Sequence, residues 1–291
     1  MQLVIVTVIW GTTFPFVKTL GETLSPPTII AVRFLVAAVA LAPWLRWLSW
    51  RKIRDGMIIG SVSFTSYATQ TIGLHSVTAG RAAFVTGLNV VMVPLALPFL
   101  GRTVERVVGF AAVLALVGIA LLSWDDGALR LGSGDLWVFA CAISYAAYVL
   151  LLERFAVRYD VLEFSAVQIA TVGVLGSFWV VIDGPAKNLR ALANAKTGNW
   201  VVLVYLGIVA VAVSTLLQTH AQRTVSAPTA AVVYSLEPVF GAVASFAWRG
   251  ERLAPIGLVG AALVLAAMVL SQRSGPRDRP RLDGIPSPSR R

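Results

Sequence analysis

Residues 78–95 read TAGRAAFVTGLNVVMVPL, and residues 226–243 read SAPTAAVVYSLEPVFGAV. The two stretches lie 148 positions apart, and the same offset pairs Gln70 with Gln218, Gly109 with Gly257 and Ser123 with Ser271. An offset of 134 to 135 relates WGTTF from Trp10 to SYAAY from Ser144, and AVRF from Ala31 to AVQI from Ala166, which sets Arg33 opposite Gln168. Apolar sequences resemble one another through low complexity alone, but glutamines and glycines recurring at one offset need more than that. The chain reads as a duplication.

The duplicated unit is a set of apolar runs. They fall near 2–21, 28–48, 56–74, 78–100, 104–123, 135–153, 161–182, 200–219, 226–248 and 255–271, separated by charged or Pro/Gly breaks. A helix rises about 1.5 Å per residue, so roughly 20 apolar residues cross about 30 Å of hydrocarbon. Of the 291 residues 57% are hydrophobic and 13% charged, against about 45–50% and about 25% in soluble domains. That leaves too few charges to cover a soluble globule, and no separate soluble domain of any size. The expected fold is an all-α integral membrane protein of ten transmembrane helices, with repeats over 2–123 and 135–271. Five spans is an odd number, so the second copy enters the membrane from the opposite side and the repeats are inverted. In such folds the binding site lies near the midplane between the halves, which rock to expose it to each side in turn.

The net charge of +10 sits in short loops and a tail, which suits a membrane surface rather than nucleic acid. Short cytoplasmic loops carry the excess of Lys and Arg. With the N-terminus inside, about fifteen fall on the cytoplasmic side, including Arg51, Lys52, Arg54, Arg154 and Arg158, and about seven on the other, including Arg81, Arg249 and Arg252. Both termini are therefore expected in the cytoplasm. The first run has no basic segment before it and no clear cleavage site after it, and reads as a retained helix. Residues 272–291, rich in Pro, Arg and Ser, are expected to form a disordered cytoplasmic tail near anionic lipid. Arginines outnumber lysines twenty to four, a bias associated with GC-rich bacterial genomes.

WGTTFPFVK in the first run, AVRF in the second, and SLEPVFGAVASF followed by RGERL across the ninth resemble the EamA branch of the drug/metabolite transporter superfamily. The likeness spans roughly residues 2 to 271 and rests on the order and spacing of these stretches together with the duplication. It implies ten helices with both termini cytoplasmic, and movement of amino acids or similar metabolites across a bacterial inner membrane. FLGRTVERV, around Glu105, departs from the compact turn at Gly250 to Leu253.

Several polar residues inside apolar runs are candidates for the substrate cavity. A charge at the bilayer centre costs roughly 2.5–3.5 kcal/mol on insertion scales and usually faces a cavity or a partner. Glu237 lies about eleven residues into the ninth run, roughly 17 Å deep, either as a cavity group able to take up a proton or as a helix-to-helix partner. Asn89 is its counterpart in the fourth run, either as a cavity amide or, slightly favoured, as a hydrogen-bonding contact in helix packing. Arg33 could hold a carboxylate or neutralise Glu237, and Gln168 is its counterpart. Lys18 is expected to snorkel to the interface. Gln70 and Gln218, near opposite faces, suit gates or cavity rims. The resemblance places Trp10, Phe14, Tyr67, Tyr145 and Tyr148 around the cavity, although for any one aromatic packing is the commoner role. GMIIG at 56–60 is a small-residue contact within the chain, favoured over dimerisation, and Cys141 suits helix packing.

No Gly-x-x-x-x-Gly-Lys-Ser/Thr loop is present, which excludes ATP hydrolysis by this chain. With two histidines, no His-Glu-x-x-His pair, and Asp125 and Asp126 in a short loop, no metal, cofactor or catalytic site is expected. A secondary transporter acting on a small molecule, as a monomer or weak homodimer, is the leading reading. A membrane enzyme or a non-transporting scaffold is the rival.

Overall fold

The computed structural model describes residues 1–46, 48–101, 106–122, 124–125, 128–129 and 131–272. Glu105, Ser123, Asp126 and the tail after residue 272 lie outside the described residues. The helices are α1 (Gln2–Leu20), α2 (Pro26–Ala40), α3 (Trp50–Leu74), α4 (Ala79–Thr86), α5 (Asn89–Ala96), α6 (Arg106–Leu122), α7 (Ser133–Ala156) and α8 (Val161–Asp183). They are followed by α9 (Pro185–Ala193), α10 (Thr197–Tyr205), α11 (Ser214–Ala221), α12 (Ala227–Tyr234), α13 (Glu237–Arg249) and α14 (Pro255–Gln272). A π-helical segment, Leu206–Val213, joins α10 to α11. One small hairpin pairs β1 (Trp124–Asp125) with β2 (Ala128–Leu129).

Helix starts follow local chemistry. Thr78 and Ser226 accept hydrogen bonds from the N–H groups of Arg81 and Thr229, and Asp160 accepts from Leu162 and Glu163. Such caps satisfy N–H groups that the first turn leaves unpaired. Pro26, Pro185 and Pro228 stand in first turns, where no N–H is needed.

This is an all-α multi-pass membrane fold. Among the described residues, six helical stretches are long and apolar enough to cross a bilayer: Gln2–Leu20, Ala79–Leu100, Ser133–Ala156, Val161–Asp183, Thr197–Ala221 and Ala227–Arg249. Three shorter apolar helices join them, Pro26–Ala40, Gly109–Leu122 and Pro255–Leu270. The long α3 falls outside that set, because its first turns carry Arg51, Lys52, Arg54 and Asp55 and its remainder is rich in Ser and Thr. Outward faces are apolar, with Phe110, Phe178 and Val243 each more than 60% exposed. A water-facing surface would not leave such side chains bare in contiguous patches.

α6 packs along α14, α2 along α8, and α3 against both α7 and α8, while α1 crosses α13 and the π segment lies on α2. At the α6–α14 crossing a Cβ on Gly118 would come within 2.7 Å of the Gly260 carbonyl oxygen, so the two backbones touch. Gly56 and Gly60 face Val167, Thr171 and the Gln168 carbonyl of α8, a contact within the chain as expected.

Two polar clusters mark the ends. At one, Arg249 pairs with Glu22 and Glu251, Arg81 with Asp135, and Lys18 donates to the carbonyls of Leu74 and Val77. Gly250, at φ +67, ends α13 and turns the chain so that a Glu251 oxygen accepts from the Ala79 N–H at 2.8 Å. At the other end Lys52 pairs with Glu163, and Asp55 accepts from Arg54 and from the Tyr159 hydroxyl. Burial and the bond to Asp55 push the Tyr159 phenol above its ordinary range. Lys18 thus reaches helix-end carbonyls in this polar cluster, because Leu74 and Val77 lie within its reach. The helix α9 was not legible as such; its Asn188 is buried and accepts from Ser25 and Thr28.

Candidate functional site

Two apolar runs are interrupted in mid-course. α4 ends at Thr86 and α5 begins at Asn89; α12 ends at Tyr234 and α13 begins at Glu237. Glu237 thus stands in a helix first turn, where the positive end of the helix dipole favours a carboxylate, and Pro238 beside it lacks an N–H to satisfy. Beside these breaks lies a cavity. Trp10 and Thr13 of α1, Arg33 of α2 and Ser66, Tyr67 and Gln70 of α3 form part of its wall. Thr86, Cys141, Tyr145 and Glu237 complete it with Ala210 and Val211 of the π segment.

Arg33 is 2% exposed, with its guanidinium carbon 4.6 Å from the Tyr67 ring centroid and 5.4 Å from that of Phe34. The rings supply a cation–π face. Its Nε and Nη2 have no hydrogen-bond partner. Glu237, 5% exposed, forms no hydrogen bond or ion pair with another described residue. The expected neutralisation of Glu237 by Arg33 is therefore not made: they share a cavity without pairing. One wall offers unspent N–H donors and another a carboxylate, so a ligand with an anionic and a cationic group can satisfy both. Buried charge is costly until something pairs with it.

A second, smaller compartment adjoins the first and shares Tyr67 and Tyr145 with it. Its other polar walls are Ser63, Tyr148, Gln168, Thr215 and Gln218. The Tyr148 hydroxyl donates to Gln168 Oε1 at 3.1 Å, and Gln218 Nε2 donates to the Tyr145 hydroxyl at 2.9 Å. Tyr145 stacks on Tyr148 at 5.7 Å and meets Trp10 edge-on at 5.7 Å, so one aromatic ladder separates and joins the two spaces. Gln70 and Gln218 line these adjoining compartments.

The EamA-like transporter family matches the chain twice, over residues 1–124 and 132–272. The chain belongs to that family. An uncharacterized transporter of Archaeoglobus fulgidus is 30% identical to this EamA protein over 93% of this chain and 84% of its own. A probable terminal-alkyne amino-acid exporter of Streptantibioticus cattleyicolor is 26% identical over 93% and 92%. One solved crystal structure shares the fold, with a TM-score of 0.64 over 91% of this chain and 96% of that one at 18% identity. Like its family, the EamA protein is a secondary transporter of small molecules and not an enzyme. Among the described residues no three His, Cys, Asp or Glu could hold a metal ion.

Two expected cavity residues of the EamA protein lie elsewhere. Phe14 is 1% exposed and sits beneath Gly241, where α1 crosses α13, because its position on α1 faces that crossing. Asn89 is fully buried and absent from both linings; its Nδ2 donates to the Thr86 carbonyl at 2.8 Å across the helix break. Other lining residues were not legible. Thr13, Ser66 and Thr86 are small hydroxyls in apolar runs, and Cys141, read as packing, also faces the cavity with Sγ 3.4 Å from Ser66 Oγ. Ala210 contributes a backbone carbonyl, which accepts from Trp10 Nε1 at 3.2 Å. π-helical turns are rare and frequent at functional sites, but LGIVAVAV carries no signal of one.

Proposed function

We propose that the protein exports small zwitterionic metabolites such as amino acids by alternating access, with Arg33 receiving the carboxylate and Glu237 the ammonium group. The single observation behind this reading is the pair of unspent opposite charges in one aromatic-walled cavity. Trp10, Tyr67 and Tyr145 would flank the apolar part of the ligand, Gln70 and Gln218 would close the cavity toward opposite faces, and Tyr148 and Gln168 would line its extension. Amino-acid export also accords with the description of the Streptantibioticus relative.

The same reading holds ten spans in two inverted repeats, 2–123 and 135–271, in a bacterial inner membrane with both termini cytoplasmic. Every one of the ten apolar runs is largely helical, the family matches the two halves separately, and the interruptions at Asn89 and Glu237 fall at equivalent positions. The end of α1 and the start of its counterpart α7 belong to one polar cluster, which suits helices of opposite direction. A monomer suffices, because both charges come from one chain.

Counterflow of radiolabelled L-amino acids into proteoliposomes tests the function. Saturable exchange is expected, abolished by Arg33→Gln. Glu237→Gln should weaken L-amino acids at least tenfold while sparing carboxylic acids that lack the ammonium group. Flux that never saturates, or that survives Arg33→Gln, rules the reading out.

A further inference from the structure

The two compartments carry counterparts of the duplication. Arg33 lines the first and Gln168, 135 positions later, the second; Gln70 lines the first and Gln218, 148 positions later, the second. The copies have diverged at the decisive place, one presenting a charge and the other a neutral amide. Gln168 is 3% exposed, and its Oε1 accepts from the Tyr148 hydroxyl. Its Nε2 is left with no hydrogen-bond partner in a wall of the compartment. A buried donor that is not satisfied by the protein is costly to keep. The nearby Gln218 amide donates to the Tyr145 hydroxyl, whereas the Gln168 amide nitrogen in the same compartment has no partner.

We propose that the compartment around Gln168 is a second subsite, which takes a neutral hydrogen-bond acceptor on the side chain of a substrate whose charged head lies between Arg33 and Glu237. The proposal rests on the zwitterion reading above. Gln168 Nε2 donates to a carbonyl, sulfoxide or similar oxygen, and Phe34, Ile169 and Val172 hold the intervening carbon chain. An acidic side chain is disfavoured, since the compartment offers it amide and hydroxyl groups but no cation. The shared wall of Tyr67 and Tyr145 makes the passage between the subsites.

Two probes isolate the acceptor. L-Methionine sulfoxide and L-norleucine have the same amino-acid head and unbranched side chains of similar length, but only the first carries an oxygen there. Their affinities for the purified full chain can be measured by ligand-dependent thermal shift. The wild type should bind the sulfoxide about tenfold more tightly than norleucine. Gln168→Met should abolish that preference by weakening the sulfoxide, and its unfolding midpoint without ligand reports an intact fold. Tyr148→Phe, which frees the amide to rotate, should reduce the preference several-fold. Arg33→Gln should weaken both probes alike. A preference that survives Gln168→Met, or a loss common to both probes in the Gln168 and Tyr148 variants, overturns the subsite. Binding of both probes unchanged in Arg33→Gln overturns the head-group reading alone, and failure of the wild type to bind either overturns both.

Discussion

Asn89 and Glu237 stand 148 positions apart, and each opens the second segment of an interrupted helix. Thr78 and Ser226, separated by the same distance, cap the first segments through N–H groups three residues on. The same local chemistry therefore starts, breaks and restarts both rods. What differs is the side chain at the break. The amide of Asn89 turns back to the Thr86 carbonyl, whereas the carboxylate of Glu237 lines the cavity. The duplicated backbone device serves structure in one copy and brings an ionisable group to the cavity in the other.

Asn89→Leu should accordingly be a stability variant. It removes the donor that satisfies the Thr86 carbonyl, at a cost of about 1–3 kcal/mol, and should lower the midpoint of thermal unfolding in detergent. Ligand affinity should hold, because Asn89 lines neither compartment. Lost affinity with an unchanged midpoint would return Asn89 to the site.

Trp10 holds the π-helical segment through the bond from Nε1 to the Ala210 carbonyl. Trp10→Phe keeps an aromatic ring near Tyr145 and Tyr234 but strands that carbonyl, a loss of about 1 kcal/mol or more in a buried setting. Amide hydrogen exchange should rise in Leu206–Val213 and remain unchanged in α14. Uniform exchange across both would mean that the bond does not hold the segment.

The ten runs were legible because apolar residues report burial in lipid or protein whichever way the chain is interrupted. Continuity was not legible for the same reason: the breaks before Asn89 and Glu237 lie inside apolar sequence and change no hydropathy. Arg33 and Glu237 stood out as charges among aliphatic neighbours. Thr13 did not, since its hydroxyl bonds back to the Trp10 carbonyl at 2.7 Å and such residues are common within apolar helices. The place of Phe14 outside both linings was not legible, because a largely apolar helix gives little sign of its rotation. The polar ends of the helices were visible as charges, but their pairing depends on which ends meet.

Gly118 and Gly260 let α6 and α14 touch along their backbones. A leucine at either place must push the helices apart, and the lost contact should cost several kcal/mol. Gly118→Leu is expected to give little folded protein by size-exclusion chromatography in detergent. Gly109→Ala, on the same helix with nothing within 4 Å of its new methyl group, should be neutral or gain about 0.5–1 kcal/mol. Equal behaviour of the two variants would remove close packing as the reason for the glycines.

The last expectation concerns sidedness. Thr23 and Arg51 are both exposed and belong to opposite ends of the molecule. At the Thr23 end Arg249 is matched by Glu22 and Glu251, Arg81 by Asp135, and Lys187 by Asp183. At the Arg51 end Lys52 and Arg54 have acidic partners, yet Arg51, Arg154 and Arg158 add to the positive side. Unmatched Lys and Arg in short loops are retained in the cytoplasm during insertion, and the proposed topology accordingly has Arg51 inside. In a Cys141→Ser background, a membrane-impermeant maleimide added to intact cells should label Thr23→Cys and leave Arg51→Cys unlabelled until the membrane is permeabilised. The opposite pattern would invert the orientation and with it the direction of export. Labelling of both from one side would contradict the placement of α1, α2 and α3 as successive crossings.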